Sequence, residues 1–184
     1  MSAPVDLSRT WTRAELAQLP EDGLRYELVD GNLVVTPPAQ RHQWRSHALA
    51  GQLRASAPQG WLVVTELPLP LDDDLRIPDV VVHRWPLTGQ APDPDNPLGP
   101  SDVGLLVEVV SPRTRKADRF TKPGEYAAAG IPIYWRLETD PELVLHPFIL
   151  SNHTYVALPV VRDRGPAPAP WGEVSVDVQG IDGP

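Results

Sequence analysis

Short apolar runs alternate with polar breaks along this chain, and most of the breaks are proline or glycine. Trp11, Leu16 and Leu19 mark the apolar side of an opening helix, which Thr10 or Thr12 can cap and Pro20 stops. Leu24, Tyr26 and Leu28 then alternate with Arg25, Glu27 and Val29. Asp30-Gly31 supplies a turn and residues 33–35 return, which predicts a β-hairpin ended by Pro37-Pro38. Over residues 39–57 Trp44, Ala48, Leu49 and Leu53 fall at helical spacing, with Arg41, Arg45 and Arg54 on the remaining surface, until Pro58 and Gly60 break the helix. Residues 61–66 and 75–83 read as strands joined by a polar stretch holding Asp72-Asp73-Asp74.

Five prolines and two aspartates between residues 86 and 100 predict a long surface loop. Residues 103–110 form a nearly unbroken apolar run, the pattern of a strand covered on both faces, and Ser111-Pro112 ends it. A basic segment leads into a helix that closes at Ala127-Ala128-Ala129, with Gly130 as its C-terminal cap. Residues 131–137, 143–149 and 155–161 read as three successive strands. From Arg162 the chain turns Pro/Ala-rich and then acidic, which predicts a linker and one weak strand over 174–178. No internal repeat is visible. The order of elements predicts an α/β or α+β fold, a mixed sheet flanked by helices.

Composition narrows the function classes. A chain of 184 residues with 41% hydrophobic and 22% charged residues fits one domain with a sizeable core. A net charge of −8 excludes non-specific polyanion binding, so any nucleic-acid contact needs a local basic patch. No cysteine is present, which removes disulfides, thiol nucleophiles and thiolate zinc sites. No apolar run is long enough for a membrane span and no secretory signal core opens the chain, so a cytoplasmic protein without membrane contact is expected. Of the 16 basic residues only Lys116 and Lys122 are lysines.

Within this frame a few charged residues stand out. Glu108 is the one charge in the apolar run 103–110, and a buried carboxylate there needs a metal, a cation or a proton. Asp79 heads the β-branched run Val80-Val81-Val82 directly after Pro78, where a strand edge or bulge re-aims side chains. By itself such an aspartate is more often a turn residue than a ligand. The segment from Ser111 to Lys122 carries Arg113, Arg115, Lys116, Arg119 and Lys122 against the single Asp118. Such runs are usually solvated faces, but this one follows the strand bearing Glu108. Asp118, Lys122 and Tyr126 are four apart and share one face if the segment is helical, though Pro123 requires the helix to begin or kink nearby. Glu27, alone, reads as a solvent-facing strand residue. His42 and His47 are five apart and make a poor metal clamp, and no phosphate loop, Gly-x-Ser-x-Gly or His-Glu-x-x-His motif occurs. Two carboxylates on neighbouring strands with one ammonium suit a hard divalent cation and phosphodiester hydrolysis. In the absence of metal, such carboxylates repel each other and one of the two pKa values should rise.

These pieces stand in a recognisable order: Leu19-Pro20-Glu21-Asp22, Arg25-Tyr26-Glu27-Leu28-Val29-Asp30-Gly31, Pro37-Pro38 with His42, and Ile77-Pro78-Asp79-Val80-Val81-Val82. They continue with Val107-Glu108-Val109-Val110-Ser111-Pro112, Asp118 with Lys122 and Tyr126, and Gly130-Ile131-Pro132 before Tyr134-Trp135. In this order the chain resembles the Uma-type family of putative restriction endonucleases, within the PD-(D/E)XK nuclease superfamily. The resemblance implies a restriction-endonuclease-like core over residues 1–161, followed by a Pro-rich C-terminal tail over 162–184. It implies Asp79 and Glu108 as ligands of Mg²⁺ or Mn²⁺, and Glu27 as a third acid near the metal. The superfamily's lysine usually stands two residues after the second acid, where this chain has Val110. Lys122 is the candidate for a lysine that has migrated to the next helix. The function implied is metal-dependent endonucleolytic hydrolysis of DNA. Arg113, Arg115, Lys116, Arg119, Arg41 and Arg45 are the candidate DNA contacts, and a homodimer is compatible with double-strand cutting. The alternative is a non-catalytic nucleic-acid-binding or regulatory protein that keeps the fold.

Overall fold

A computed structural model describes residues 5–20, 22–85 and 98–183. Thr12 caps a four-residue helix, α1 (Arg13–Leu16), through a reciprocal capping box with Glu15. The hairpin follows as expected: β1 (Arg25–Val29) pairs with β2 (Asn32–Thr36) in antiparallel register. Asp30 and Gly31 turn it with φ of 49° and 72°, the left-handed values that favour this dipeptide in a tight hairpin. Helix α2 (Gln40–Ser56) buries Leu49, Ala50 and Leu53, whereas Trp44 is exposed on its flank.

The strand expected over 75–83 divides in two. Strands β3 (Trp61–Thr65), β4 (Leu69–Leu71), β5 (Asp74–Arg76) and β6 (Val80–Arg84) follow in order. β5 completes a small sheet, β2-β1-β5-β4, while β6 lies inside the large one. The division falls at Ile77-Pro78. Pro78 has no N–H to give to a ladder, and the Ile77 N–H donates to Glu27 Oε1 at 2.9 Å instead of to a strand. Asp72-Asp73 turn β4 into β5 as a tight hairpin, with Asp74 already in the strand. The loop expected over 86–100 lies outside the described residues as far as 97, and its end forms a 3₁₀ turn, Pro100–Asp102.

The large sheet is completed by β7 (Val103–Val109), β8 (Ile133–Glu138), β9 (Val144–Ser151) and β10 (Thr154–Ala157), in the order β10-β9-β8-β7-β6-β3. Among the described strands only β7 and β8 pair in parallel; a five-residue π-helical turn (Ala117–Thr121) and helix α3 (Lys122–Ala128) connect them. The wide turn and the helix start together accommodate Pro123, which sits in the first turn of α3, where its missing N–H costs nothing. The last expected strand stops at Ala157, and Val161 touches the sheet only as a single bridge to Leu145.

Residues 164–177 differ from the expected linker. They form a hairpin of β11 (Arg164–Ala169) and β12 (Gly172–Asp177). Pro166, Pro168 and Pro170 alternate with Ala167 and Ala169, so the prolines turn their N-less edge away from β12 while the alanines pack inward. The Pro168 carbonyl, on that outer edge, accepts from the Trp135 indole N–H at 3.0 Å. Ala167, Ala169, Val174, Val176, Val178 and Ile181 join the principal core with α2 and one face of the large sheet. The opposite face packs Val81, Leu106 and Tyr134 against Tyr126 of α3 and Leu69 and Leu71 of β4. A mixed sheet covered on both sides results, and β7 is buried along its whole length.

Candidate active site

Asp79 and Glu108 meet because of strand register. Val80 pairs with Val107 in the antiparallel β6–β7 ladder, so one further step sets Asp79 opposite Glu108. Residues opposite each other across a ladder share a face, here the face covered by α3. Both side chains are 1% exposed. Lys122, at the start of α3 and 2% exposed, places Nζ 3.0 Å from Glu108 Oε2, 3.2 Å from Asp118 Oδ1 and 3.9 Å from Glu27 Oε1. The Tyr126 hydroxyl donates to Glu108 Oε1 at 2.6 Å, and the Tyr134 hydroxyl donates to the Asp118 carbonyl at 2.8 Å. The π-helical turn therefore aims Asp118 and Lys122 at the same point as the end of β7. Departures of this kind from regular α-helix are frequent at functional sites.

Asp79 is held from three sides. Arg25 Nη1 donates to Oδ1 at 2.7 Å, the His42 Nε2–H donates to the same oxygen at 2.9 Å, and the Val109 backbone N–H donates to Oδ2 at 2.7 Å. Arg25 and Glu27 project from the same face of β1, two residues apart, so the hairpin closes the site from above. The strand pattern alone would leave that face in solvent, whereas the resemblance places Glu27 near the acid pair; the fold lays the face over the end of the large sheet.

Four buried carboxylates, Glu27, Asp79, Glu108 and Asp118, thus surround one buried ammonium. Burial acts to raise the Asp79 pKa, but the hydrogen bond and charge of His42, with Arg25 and Lys122, outweigh it and hold the carboxyl below its ordinary value. Glu108 goes the other way. Burial drives it up, Lys122 opposes, and the Asp79, Asp118 and Glu27 charges add to the rise, which carries it to about 8. Burial also raises Asp118, partly countered by Lys122. Burial would lower Lys122, yet the four acids hold it above its ordinary value. Asp79 has Arg25 as a second cation, but Glu27, Glu108 and Asp118 share Lys122 as the ammonium nearest to them.

A cleft of about 590 Å³ opens beside this cluster, between the hairpin, the N-terminal end of α2 and residues 111–114. Arg25, His42, Glu66 and Arg113 are its charged or titratable lining. Of the basic residues proposed from sequence, Arg113 lies on this cleft and is exposed, and Lys116 is exposed on the segment beyond; neither has an ion-pair partner among the described residues. The others are engaged elsewhere. Arg115 pairs with Asp140 at 2.6 Å, Arg119 forms a two-pronged pair with Glu138 at 2.8 Å, and Arg41 and Arg45 both grip Asp182 near the C-terminus.

Sequence reasoning missed Arg25 as a site residue and gave His42 no role beyond its place in the motif order. The signal for Arg25 was its two-residue spacing from Glu27 on one strand face. Asp118 and Tyr126 were legible through their four-residue spacing from Lys122.

A mixed central sheet flanked by helices, with an acidic pair on adjacent strands, is a restriction-endonuclease-like core; here the nearby lysine comes from α3 and not from the strand of the second acid. The profile of the Uma2 family, described as "Putative restriction endonuclease", matches residues 13–170, and the chain belongs to this family. The fold is similar to a crystal structure described as a putative nuclease belonging to DUF820 from Anabaena variabilis, with a TM-score of 0.65 and 14% identity over 94% of this chain and 97% of that one. A comparison with curated proteins returns no match. No helix among the described residues is long and apolar enough to cross a membrane.

Proposed function

We propose that this chain is a divalent-metal-dependent endonuclease that hydrolyses phosphodiester bonds in DNA, with Asp79 and Glu108 as the ligands of Mg²⁺ or Mn²⁺. The donor set fits such an ion in kind. It consists of carboxylate oxygens, which hard cations prefer. Asp118 Oδ1 is buried and makes no well-formed hydrogen bond, with the Lys122 ammonium 3.2 Å away as its near charge. No ready-made group of three or more ligating side chains occurs among the described residues, so Asp79 and Glu108 would leave further positions to water. Such an ion, when bound, lowers the pKa of water and offsets charge on the phosphate.

The observation that carries the reading is Lys122. Its ammonium reaches the second acid at 3.0 Å from a different element than the strand position occupied by Val110. Lysine is a compact point charge, suited to hold the attacking water or to neutralise charge that grows on the phosphate oxygens. Glu27 is oriented by the Ile77 N–H and stands near the same ammonium as the third acid. Of the basic residues proposed from sequence, Arg113 on the cleft and Lys116 beyond it have no ion-pair partner among the described residues and would meet phosphates. The site as it stands needs only one chain, and a homodimer would serve to cut both strands of a duplex.

The test is cleavage of labelled single-stranded, duplex and branched DNA with Mn²⁺ or with chelator. The wild-type protein should cut only with Mn²⁺, and Asp79→Asn and Lys122→Met should not cut. Binding without cleavage under all conditions would instead establish a non-catalytic nucleic-acid-binding protein.

A further inference from the structure

We infer that Arg25 is a phosphate-contacting residue of this site, which grips a phosphodiester of the nucleic-acid substrate with the donors it does not use on Asp79. The inference rests on the nucleic-acid reading above and assigns it a group that the acid-and-lysine pattern does not contain.

Three observations support it. First, Arg25 spends one nitrogen on the protein. Nη1 donates to Asp79 at 2.7 Å and lies 3.5 Å from Glu66, while Nε and Nη2 donate to nothing among the described residues. A guanidinium carries five N–H donors in a fixed fork, and the unused part of that fork is the shape that takes two phosphate oxygens at once. Second, the side chain is placed for access. It is 11% exposed and lines the cleft, so it is held by its neighbours yet open on one side. Third, the charged lining of the cleft is mostly basic within a chain of net charge −8. Arg25 and Arg113 stand against the single acid Glu66 among its lining side chains, with His42 beside them.

The consequence is geometric. Arg25 and His42 share one oxygen of Asp79, so a phosphate drawn to the free edge of Arg25 is brought next to the acid pair. Charge that grows on the phosphate oxygens during hydrolysis then meets a donor whose orientation is already fixed.

The test is duplex DNA binding in Ca²⁺, read by fluorescence anisotropy across a salt series, for wild type, Arg25→Met and Arg25→Lys. Thermal melting of each protein monitors folding. Losing one phosphate contact should lower the log–log salt slope by about 0.9 and weaken binding by about tenfold. Arg25→Lys keeps a charge beside Asp79 and should keep the slope while binding less tightly, because the fork is gone. If Arg25→Met does not fold, Arg25→Lys carries the test by its affinity alone. Folded variants that bind with wild-type affinity and slope would overturn the inference and leave Arg25 a counter-ion. Wild type that binds but does not cleave with Mn²⁺ would remove the nuclease reading and leave the Arg25 result standing. Wild type that binds no DNA would remove both.

Discussion

Asp79 and Glu108 face each other across two strands, yet amide substitutions at the two positions should have opposite effects on stability. Asp79 is the paired acid. Asp79→Asn removes a charge that Arg25 and His42 both meet, and leaves the Arg25 guanidinium without its closest anion. Removing one partner of a buried pair costs about 3 kcal/mol, which for a chain of this size lowers Tm by roughly 6–12 °C. The folded pKa of Asp79 lies below its unfolded value. The stability it contributes is therefore present above about pH 4 and is lost only in stronger acid, so the deficit of Asp79→Asn should hold from about pH 5 to about pH 9. Glu108 is the overcharged acid. Its folded pKa of about 8 lies above the ordinary 4.5, so wild type loses stability as pH climbs through that interval, at up to about 1.4 kcal/mol per pH unit. Glu108→Gln carries no proton to lose, and its amide can still accept from Lys122 and donate to Tyr126. It should melt with wild type near pH 5 and above it near pH 9. Differential scanning calorimetry in chelator at both pH values reads the contrast. Equal destabilisation by the two amides near pH 9 would refute the view that one cation is shared among too many carboxylates.

Other consequences follow from the same contacts. Lys122→Met should abolish Mn²⁺-dependent cleavage while Mn²⁺ still raises the melting temperature. In chelator its stability deficit should grow from about pH 5 to about pH 8, since the carboxylates it leaves behind can stay neutral only by holding protons. Gly104→Ala should destabilise by about 2 kcal/mol in urea unfolding, because a Cβ there would stand 2.5 Å from Pro170 Cγ and 2.6 Å from Trp61 Cζ3. A neutral result would detach the C-terminal hairpin from β7. Arg113→Ala should lower the salt slope of DNA binding by about one, whereas Arg45→Ala, whose guanidinium is committed to Asp182, should leave the slope unchanged and lower Tm.

Much of this arrangement is legible in the sequence alone. The apolar run of β7, the Asp30-Gly31 turn and the Gly130 helix end are local signals, and each lies within a residue or two of its expected place. Glu108 and Asp79 stood out because a charge interrupting or heading an apolar strand needs a partner. Long-range geometry was not legible. A run from Leu75 to His83 looks continuous, but its two halves serve different sheets, because the Ile77 N–H is claimed by Glu27, fifty residues earlier in the chain. The alternating Pro-Ala stretch after Arg162 has the composition of a linker. Its period of two is the edge-strand pattern, and the buried alanines show which feature governs. Arg25 and Arg45 looked equivalent to other surface arginines until the fold brought Asp79 and Asp182 to them.

The most direct test of the central claim is the rate at which labelled DNA is cut in Mn²⁺ by wild type, Asp79→Asn and Lys122→Met, each shown to be folded under the assay conditions. Cleavage by wild type alone, abolished by chelator and restored by added Mn²⁺, is the expected result. Cleavage by folded Lys122→Met at the wild-type rate would contradict the assignment of the migrated lysine and with it the chemistry proposed for the site.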